Sequence, residues 1–164
     1  MDDSYVEEAL DTAERAFQDT RGQTSETGLD VTEDSLVQLR KACRLLEAAR
    51  TLRRRNGYYT VVIEASFVAI ERSIQSFLLA RGYTSPEDLR YGHTKVYDTA
   101  ADVNLCSVDF AARLTQLWEQ NRAEIYYREA PASAQQATAM LELAEAVHQY
   151  VLEFGSMAHE CLCE

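Results

Sequence analysis

One apolar stretch indicates how this chain folds: GYYTVVIEASFVAIERSIQSFLLARG, which runs from Gly57 to Gly82. Apolar side chains recur within it every three or four residues, and this spacing predicts a helix with a core-facing stripe. The stripe consists of Tyr59, Ile63, Phe67, Ile70, Ile74 and Phe77. Other apolar residues widen it until little of the circumference suits water, so we expect this helix to be central. The flanking glycines are typical of a free start and a left-handed stop.

Two carboxylates interrupt this apolar surface. Glu64 and Glu71 are seven residues apart, which places them on nearly the same helical face. We expect them to keep one strip solvated or to pair with arginines. The alternative interpretation is a functional acidic edge.

The remaining chain also has helical periodicity, and no segment shows the strict alternation of a strand. The sequence therefore predicts an all-α, mostly antiparallel bundle of about five to six helices. An acidic helix and polar linker are predicted over residues 1–31, ahead of the bundle over 32–164. The predicted helices cover residues 3–20, 32 to about 56, 57–82, 93 to about 105, 107 to about 127, and 133 to about 161.

A Ser133–Gln136 capping box opens the last of these helices. Its predicted core-facing stripe consists of Ala137, Leu141, Ala144, Val147, Val151, Phe154 and Ala158.

Size and composition exclude several classes. A chain of 164 residues can bury a sizeable core without help from a disulfide or a metal. It has no uncharged apolar run of about 18 residues, so no membrane span is predicted. The opening MDDSYVEEAL is acidic and unlike a secretory leader. We therefore expect a cytoplasmic protein whose four cysteines stay reduced.

The charge is strongly negative, at −11, and only Lys41 and Lys95 are lysines. An acidic, lysine-poor surface suits a high-salt cytoplasm, and a GC-rich genome would give the same arginine bias. The net charge argues against non-specific binding of nucleic acid. Both the halophile and the genome interpretation stay open at this point.

Basic residues concentrate just before the central stretch. Residues 1–34 carry a balance of −9, whereas residues 35–56 carry +6. This second segment ends in the arginines at positions 50, 53, 54 and 55, which are Arg50, Arg53, Arg54 and Arg55. One interpretation is a solvated, self-neutralising face. The other is a site for phosphate or for an acidic partner.

The C-terminal sequence HECLC contains metal-binding residue types. In a helix that continues to Cys161, His159 and Cys161 do not share a face. With Cys163 they make three ligands without an evident fourth, because Cys43 and Cys106 are distant in sequence. The sequence therefore predicts no metal site, no cofactor and a frayed tail.

Four segments together resemble the HEPN family of small helical bundles. The central stretch is similar to that family's long helix, and Gly92-His93 to the histidine that often opens the next helix. The segment QNRAEIYY, residues 120–127, stands where the family keeps an arginine-containing motif. MLELAEAVHQYV, residues 140–151, is similar to the closing helix. The resemblance covers roughly residues 36–160.

The resemblance has functional implications. Many HEPN proteins are metal-independent ribonucleases whose motif is an arginine followed, after four to six residues, by a histidine. Arg122 fits the arginine, but the histidine window holds Tyr127, Arg128 and Glu129. This pattern resembles the non-nuclease branch, whose members often accompany a minimal nucleotidyltransferase in toxin–antitoxin-like pairs. We therefore expect a non-catalytic interaction module that forms a homodimer and acts with such a nucleotidyltransferase or another nucleic-acid-associated protein.

The family's usual association through its last helices implies an interface around Arg122. The expected interface residues are Trp118, Asn121, Arg122, Tyr126 and Tyr127. Aromatic residues and arginines are the types that dominate interface energies. A different interpretation of Arg122 is a structural one, in which it pairs with a carboxylate at the border of the core.

Two alternatives stay open. The first is a ribonuclease in which Arg122 acts with Tyr126 or Tyr127, or in which His93 supplies the missing base. The second is an RNA- or nucleotide-binding module that uses Arg50, Arg53, Arg54 and Arg55. His93 also has a simpler interpretation, as a capping or packing residue.

Overall fold

The structure, a computed structural model, describes residues 4–19, 21–90, 92–123 and 130–163. The chain divides into two compact units, Met1–Asp30 and Val31–Glu164. The first unit contains helix α1, Ser4–Gln18. Just beyond its end, the Gln23 side-chain amide donates hydrogen bonds to the carbonyls of Ala16, at 3.0 Å, and Asp19, at 2.6 Å.

Within its described residues, the second unit contains five α-helices. They are α2 (Asp34–Arg53), α3 (Tyr59–Ala80), α4 (His93–Asp102), α5 (Val108–Asn121) and α6 (Ala134–Gly155). Short 3-10 turns lie at Asp88–Arg90 and Ala158–Glu160. The described part of the chain contains no strand. The predicted all-α class and helical bundle are confirmed.

Helix α3 is the centre of the bundle, as predicted, and packs against α2, α4 and α6. Its predicted stripe is buried from Ile63 to Phe77, and Tyr59 is partly buried. Beyond its end Gly82 adopts a φ of 69°, and the N–H of Tyr83 donates to the Leu78 carbonyl at 2.9 Å. This is the left-handed C-terminal stop predicted from the glycine.

Contacts between α2 and α6 show that these helices run in opposite directions. Arg53, near the end of α2, donates to Thr138 near the start of α6, with 2.6 Å between Nε and Oγ1. One turn earlier, Arg50 pairs with Glu145 at 2.5 Å. Residues later along α2 therefore contact residues earlier along α6, as expected of antiparallel helices.

Helix α3 runs in the same direction as α6. Ser73 contacts His148, and one turn further along, the Phe77 ring lies 5.5 Å from that of Phe154. Helix α5 runs against α3, because its C-terminal end contacts the first half of α3. The four long helices of this unit thus alternate in direction along the chain.

The predicted start of α2 and the predicted ends of α2, α4 and α6 differ from those in the structure. Glu33, not Thr32, precedes the first residue of α2, and the Ser133–Gln136 capping box opens α6 as predicted. Helix α6 ends at Gly155 instead of continuing to about residue 161, because Ser156 turns left-handed with a φ of 57°. Helix α2 ends at residue 53 and α5 at residue 121. Residues 122 and 123 remain helical, and the rest of the predicted α5, from residue 124 to about 127, lies outside the described residues.

The last two positions of the predicted α6 stripe are not buried. Phe154 is 48% exposed, and Ala158 lies in the 3-10 turn, also exposed. The five earlier positions, from Ala137 to Val151, are buried as predicted. Among the residues described, no helix combines the length and apolarity needed to cross a bilayer.

Replacement of the central phenylalanine measures how much the bundle depends on α3. Phe67 is 1% exposed and packs edge-on against Trp118, with 5.2 Å between ring centroids. We expect Phe67→Ala to lower the free energy of unfolding by about 3–5 kcal/mol, because it leaves a cavity in the core. Val61 on the same helix is 50% exposed, so Val61→Ala should change it by less than about 0.5 kcal/mol. Urea titration followed by circular dichroism measures both, and equal effects would contradict this description of the core.

Candidate functional site

Trp118 brings the two main candidate residues of the sequence analysis together. It lies on α5 and is only 8% exposed. The ring of His93, the first residue of α4, lies 4.8 Å from the indole. The guanidinium carbon of Arg122, at the C-terminal cap of α5, lies 4.3 Å from the same ring. A histidine and an arginine that are 29 residues apart in sequence therefore share one aromatic neighbour.

Glu71 positions the imidazole of His93. The carboxylate of Glu71 is buried on α3 and pairs with Nδ1 of His93. It also accepts a hydrogen bond of 3.0 Å from the side-chain amide of Gln75. The His93 side chain is 47% exposed. A carboxylate on one ring nitrogen orients the ring and leaves the other nitrogen, Nε2, for proton exchange with a ligand.

A second carboxylate contact lies about two helical turns away along α3, at Glu64. Asn121 is 6% exposed and donates from Nδ2 to Glu64 at 3.0 Å. Its Oδ1 is buried and has no hydrogen-bond partner among the described residues. The two carboxylates thus bond an amide and an imidazole. Glu71 is buried, contrary to the expectation of a solvated strip, whereas Glu64 is half-buried. An orphaned buried acceptor is unfavourable and marks a place where a donor from outside the chain would be stabilising.

Tyrosines contribute little to the described site. Tyr126 and Tyr127, proposed for the interface and as substitutes for the missing histidine, lie outside the described residues. Tyr97 on α4 is buried, and burial, followed by the charge of Glu71, raises its pKa above the ordinary value. Tyr97 is therefore neutral and unsuitable as a base at neutral pH.

A groove with apolar walls lies between α5 and α6; we call it the α5–α6 groove. It consists of three adjoining depressions. The first and the middle one share Phe110 and Leu143, and the middle and the last one share Leu117 and Gln120. Its two ends lie near Cys106 and near Asn121 and Gln136. Phe110, Leu117 and Leu143 are only partly buried. The groove therefore exposes apolar side chains along most of the length of α5.

The basic residues of α2 are divided between structural and exposed roles. Arg50 pairs with Glu145 on α6, and this hydrogen bond raises the pKa of the arginine. Arg53 bonds Thr138 and lies over the Tyr59 ring at 5.6 Å. These two guanidinium groups bind α6 and α3 to α2.

Arg54 and Arg55 follow α2 and are exposed. Of the four arginines predicted as an anion site, they are the two with exposed side chains. The other two are occupied in packing.

Four further ligand-type side chains come together on the other side of α3. Cys43 lies on α2, His148 on α6, and Cys161 and Cys163 on the tail after the last 3-10 turn. Their Sγ and Nε2 atoms all lie within 4.8 Å of one another. We call this group the thiol–imidazole cluster. A set of three thiols and one imidazole is a common metal-ligand combination in proteins.

Sequence reasoning discounted this cluster for two reasons that the structure corrects. The tail is not helical at Cys161, so the argument that His159 and Cys161 face apart on one helix does not apply. The tail is also not frayed, since the backbone N–H of Leu162 donates to Cys43 Sγ at 3.4 Å. His159 is not part of the cluster, since its side chain is exposed and lies 3.5 Å from Glu160. The imidazole comes instead from His148 on α6, and the third thiol from Cys43 on α2.

The cluster thiols shift one another's pKa values. A hydrogen bond from Cys163, aided by His148 and opposed by burial, lowers the pKa of the Cys43 thiol to about 4. The same hydrogen bond, together with burial, raises the pKa of Cys163. Burial raises the pKa of Cys161. The cluster therefore already favours a thiolate at Cys43.

Comparison with known proteins shows which family this chain belongs to. Residues 1–163 match the family model described as "Domain of unknown function (DUF8154)". Because the match spans nearly the whole chain, the chain belongs to that family. No curated protein and no solved structure matches it.

Proposed function

We propose that this member of the DUF8154 family is a HEPN-like, non-catalytic interaction module. It forms a homodimer and acts with a minimal nucleotidyltransferase or another nucleic-acid-associated protein in a toxin–antitoxin-like system. The order of HEPN-like segments along residues 36–160 supports the kinship. The absence of a histidine five to seven residues after Arg122 supports the assignment to a non-nuclease branch.

The α5–α6 groove carries the proposal. It is lined mainly by apolar side chains, among them Phe110, Leu117 and Leu143, none of them fully buried. Contiguous exposed apolar surface of this kind typically marks an interaction site. A second copy would cover it with the same surface, as the two-fold symmetry of most homodimers requires.

The end of the groove offers polar groups that would fix the position of a partner. Asn121 borders the groove there and has a buried acceptor, Oδ1, without a partner among the described residues. Arg122 follows directly and is held against the buried Trp118 ring. A stacked arginine loses little side-chain entropy on binding and is a common interface anchor.

A charge placed in the groove should abolish the dimer. We expect Leu143→Glu to be monomeric, because a carboxylate buried without a partner is strongly unfavourable. Analytical ultracentrifugation over a range of concentrations measures the assembly state.

Val108→Glu is the matched control. Val108 is 75% exposed at the start of α5 and lies about 200° around the helix from Phe110. This variant should dimerise like the wild type. A monomeric wild type, or a Leu143→Glu variant that dimerises normally, would contradict the proposal.

The pairing of His93 with Glu71 favours one other function, metal-independent cleavage of RNA. The sequence motif lacks its histidine, and His93 would supply the base from α4. Its half-exposed ring is oriented by a buried carboxylate and touches the same indole as Arg122. The unpaired nitrogen would take the proton of a ribose 2′-hydroxyl, and the arginine would stabilise charge on the attacked phosphate.

Cleavage of single-stranded RNA without added divalent ions tests this second function. If it is correct, His93→Gln should reduce the rate about 10²–10⁴-fold, because it removes the base. Arg122→Ala should reduce it about 10²–10³-fold through lost charge stabilisation. Arg44 on α2, which pairs with Glu47 at 2.8 Å, provides the control Arg44→Ala, which should cut normally. An inactive wild type, or cutting by Arg122→Ala at the full rate, would eliminate this function and leave the non-catalytic proposal.

A further inference from the structure

We propose that the thiol–imidazole cluster binds one Zn²⁺ ion in a closed, structural site. The ligands are Sγ of Cys43, Cys161 and Cys163 and Nε2 of His148. The ion would fasten the C-terminal tail, residues 156–163, to α2 and α6. Binding displaces the thiol protons to solvent and leaves a complex of three thiolates, one neutral imidazole and the metal.

The spacing of the ligand atoms fits a tetrahedron around zinc. Zn–S bonds of about 2.3 Å and a Zn–N bond of about 2.05 Å place two sulfurs about 3.8 Å apart and a sulfur and a nitrogen about 3.5 Å apart. Cys43 and Cys161 have their sulfurs 3.5 Å apart. Nε2 of His148 lies 3.7 Å from Cys43, 3.4 Å from Cys161 and 3.3 Å from Cys163. Cys163 Sγ lies within 4.8 Å of the other two sulfurs, against about 3.8 Å in a tetrahedral site. Coordination of an ion therefore requires a shift of at most about 1 Å, at the end of the tail.

Ser73 on α3 sets the tautomer that metal binding requires. Its hydroxyl donates its single proton to the Ala69 carbonyl, at 2.8 Å. The same oxygen lies 2.8 Å from Nδ1 of His148. It must accept there, so Nδ1 carries the proton and Nε2 has its lone pair toward the three thiols. Metal-ligating histidines usually have such a partner on the other ring nitrogen.

Backbone and side-chain groups around the sulfurs suit negative charge. The N–H of Leu162 donates to Cys43 Sγ at 3.4 Å, and that of Cys163 donates to Cys161 Sγ at 3.3 Å. Arg50 lines the depression that opens onto Cys161 and Cys163, and its charge acts on both sulfurs. The depression also gives an ion a path from solvent. Because Arg50 also pairs with Glu145, the one excess negative charge on the complex is offset in part, by the backbone N–H donors and by the arginine.

Disulfide formation explains the arrangement less well. A disulfide needs an S–S separation of about 2.05 Å, whereas Cys43 and Cys161 are 3.5 Å apart. It would leave one thiol unused and give no role to a histidine whose lone pair faces the sulfurs. Three thiolates and an imidazole in a tetrahedron favour zinc over harder ions. With four protein ligands there is no open position for water, so the site is structural and not catalytic.

Metal content tests the proposal directly. The full chain is purified without chelators and without a histidine tag, and its zinc content is measured by inductively coupled plasma mass spectrometry. We expect about one Zn²⁺ per chain in the wild type. Cys106, the fourth cysteine, lies outside the cluster, so Cys106→Ser should retain the ion. The double variant Cys161→Ser/Cys163→Ser should lose it, and its changes lie on the tail, where they leave the bundle core intact.

Two further measurements distinguish coordination by the four ligands from non-specific binding of metal. Cobalt(II) added to the metal-free protein should give the visible absorption of tetrahedral sulfur–nitrogen coordination, and zinc should abolish it. Ser73→Ala keeps all four ligands but removes the partner of Nδ1, and it should weaken zinc binding about 10–100-fold. Urea titration of each variant, followed by circular dichroism, tests whether the bundle is folded.

Three results would overturn the proposal. The wild type could contain no zinc and fail to bind cobalt with a tetrahedral spectrum. The double variant could retain as much zinc as Cys106→Ser. Alkylation without reductant could show two of the cluster thiols joined in a disulfide in freshly purified protein. The dimer and RNA assays above do not depend on any of these outcomes.

Discussion

Burial of helix α3 on most of its surface is the constraint on which the rest of the structure depends. A helix inside a bundle cannot leave polar side chains to water, and each unpaired one is unfavourable by about 1–3 kcal/mol. Ser66, Ser73 and Ser76 are fully buried and donate to carbonyls of their own helix. These local bonds satisfy the hydroxyl protons but leave oxygen lone pairs available. The polar residues of α3 therefore select the side chains that pack against them.

Both candidate sites derive from this selection. Glu64 and Glu71 lie on one face of α3 and bond Asn121 and His93. Ser73 is nine residues from Glu64, about 180° around the helix, and it bonds His148 on the opposite side. The central helix thus orients an imidazole in each direction. One imidazole is half exposed beside an arginine, and the other faces three buried or half-buried thiols.

The sequence could predict what depends on local periodicity. The position of α3, its left-handed stop at Gly82 and the capping box of α6 follow from patterns within a few residues, and all three are confirmed. Arg122 was also predicted at the border of the buried face, and it lies there against Trp118. Helix ends without a strong signal, such as that of α6, were misplaced.

The two clusters could not be predicted in the same way, because their members meet only through tertiary packing. His93 reaches Glu71 across the loop between α3 and α4, 22 residues away. The thiol–imidazole cluster joins positions 105 and 118 residues apart. A signal was present in the sequence: Cys43 is spaced four and three residues from Leu39 and Leu46 on α2, and His148 follows Val147 of the α6 stripe. It was not usable while α6 was extended through Cys161, since a continuing helix carries the tail away from α2.

Native-state hydrogen exchange tests the central claim, that α3 is the buried element on which the bundle depends. If it is, the backbone amides from Ile63 to Ile74 should exchange only through global unfolding. Their free energy of opening should then equal the free energy of unfolding obtained from urea titration. Exchange of these amides at a lower free energy than those of α2 or α6 would show that α3 opens on its own, and would contradict the account.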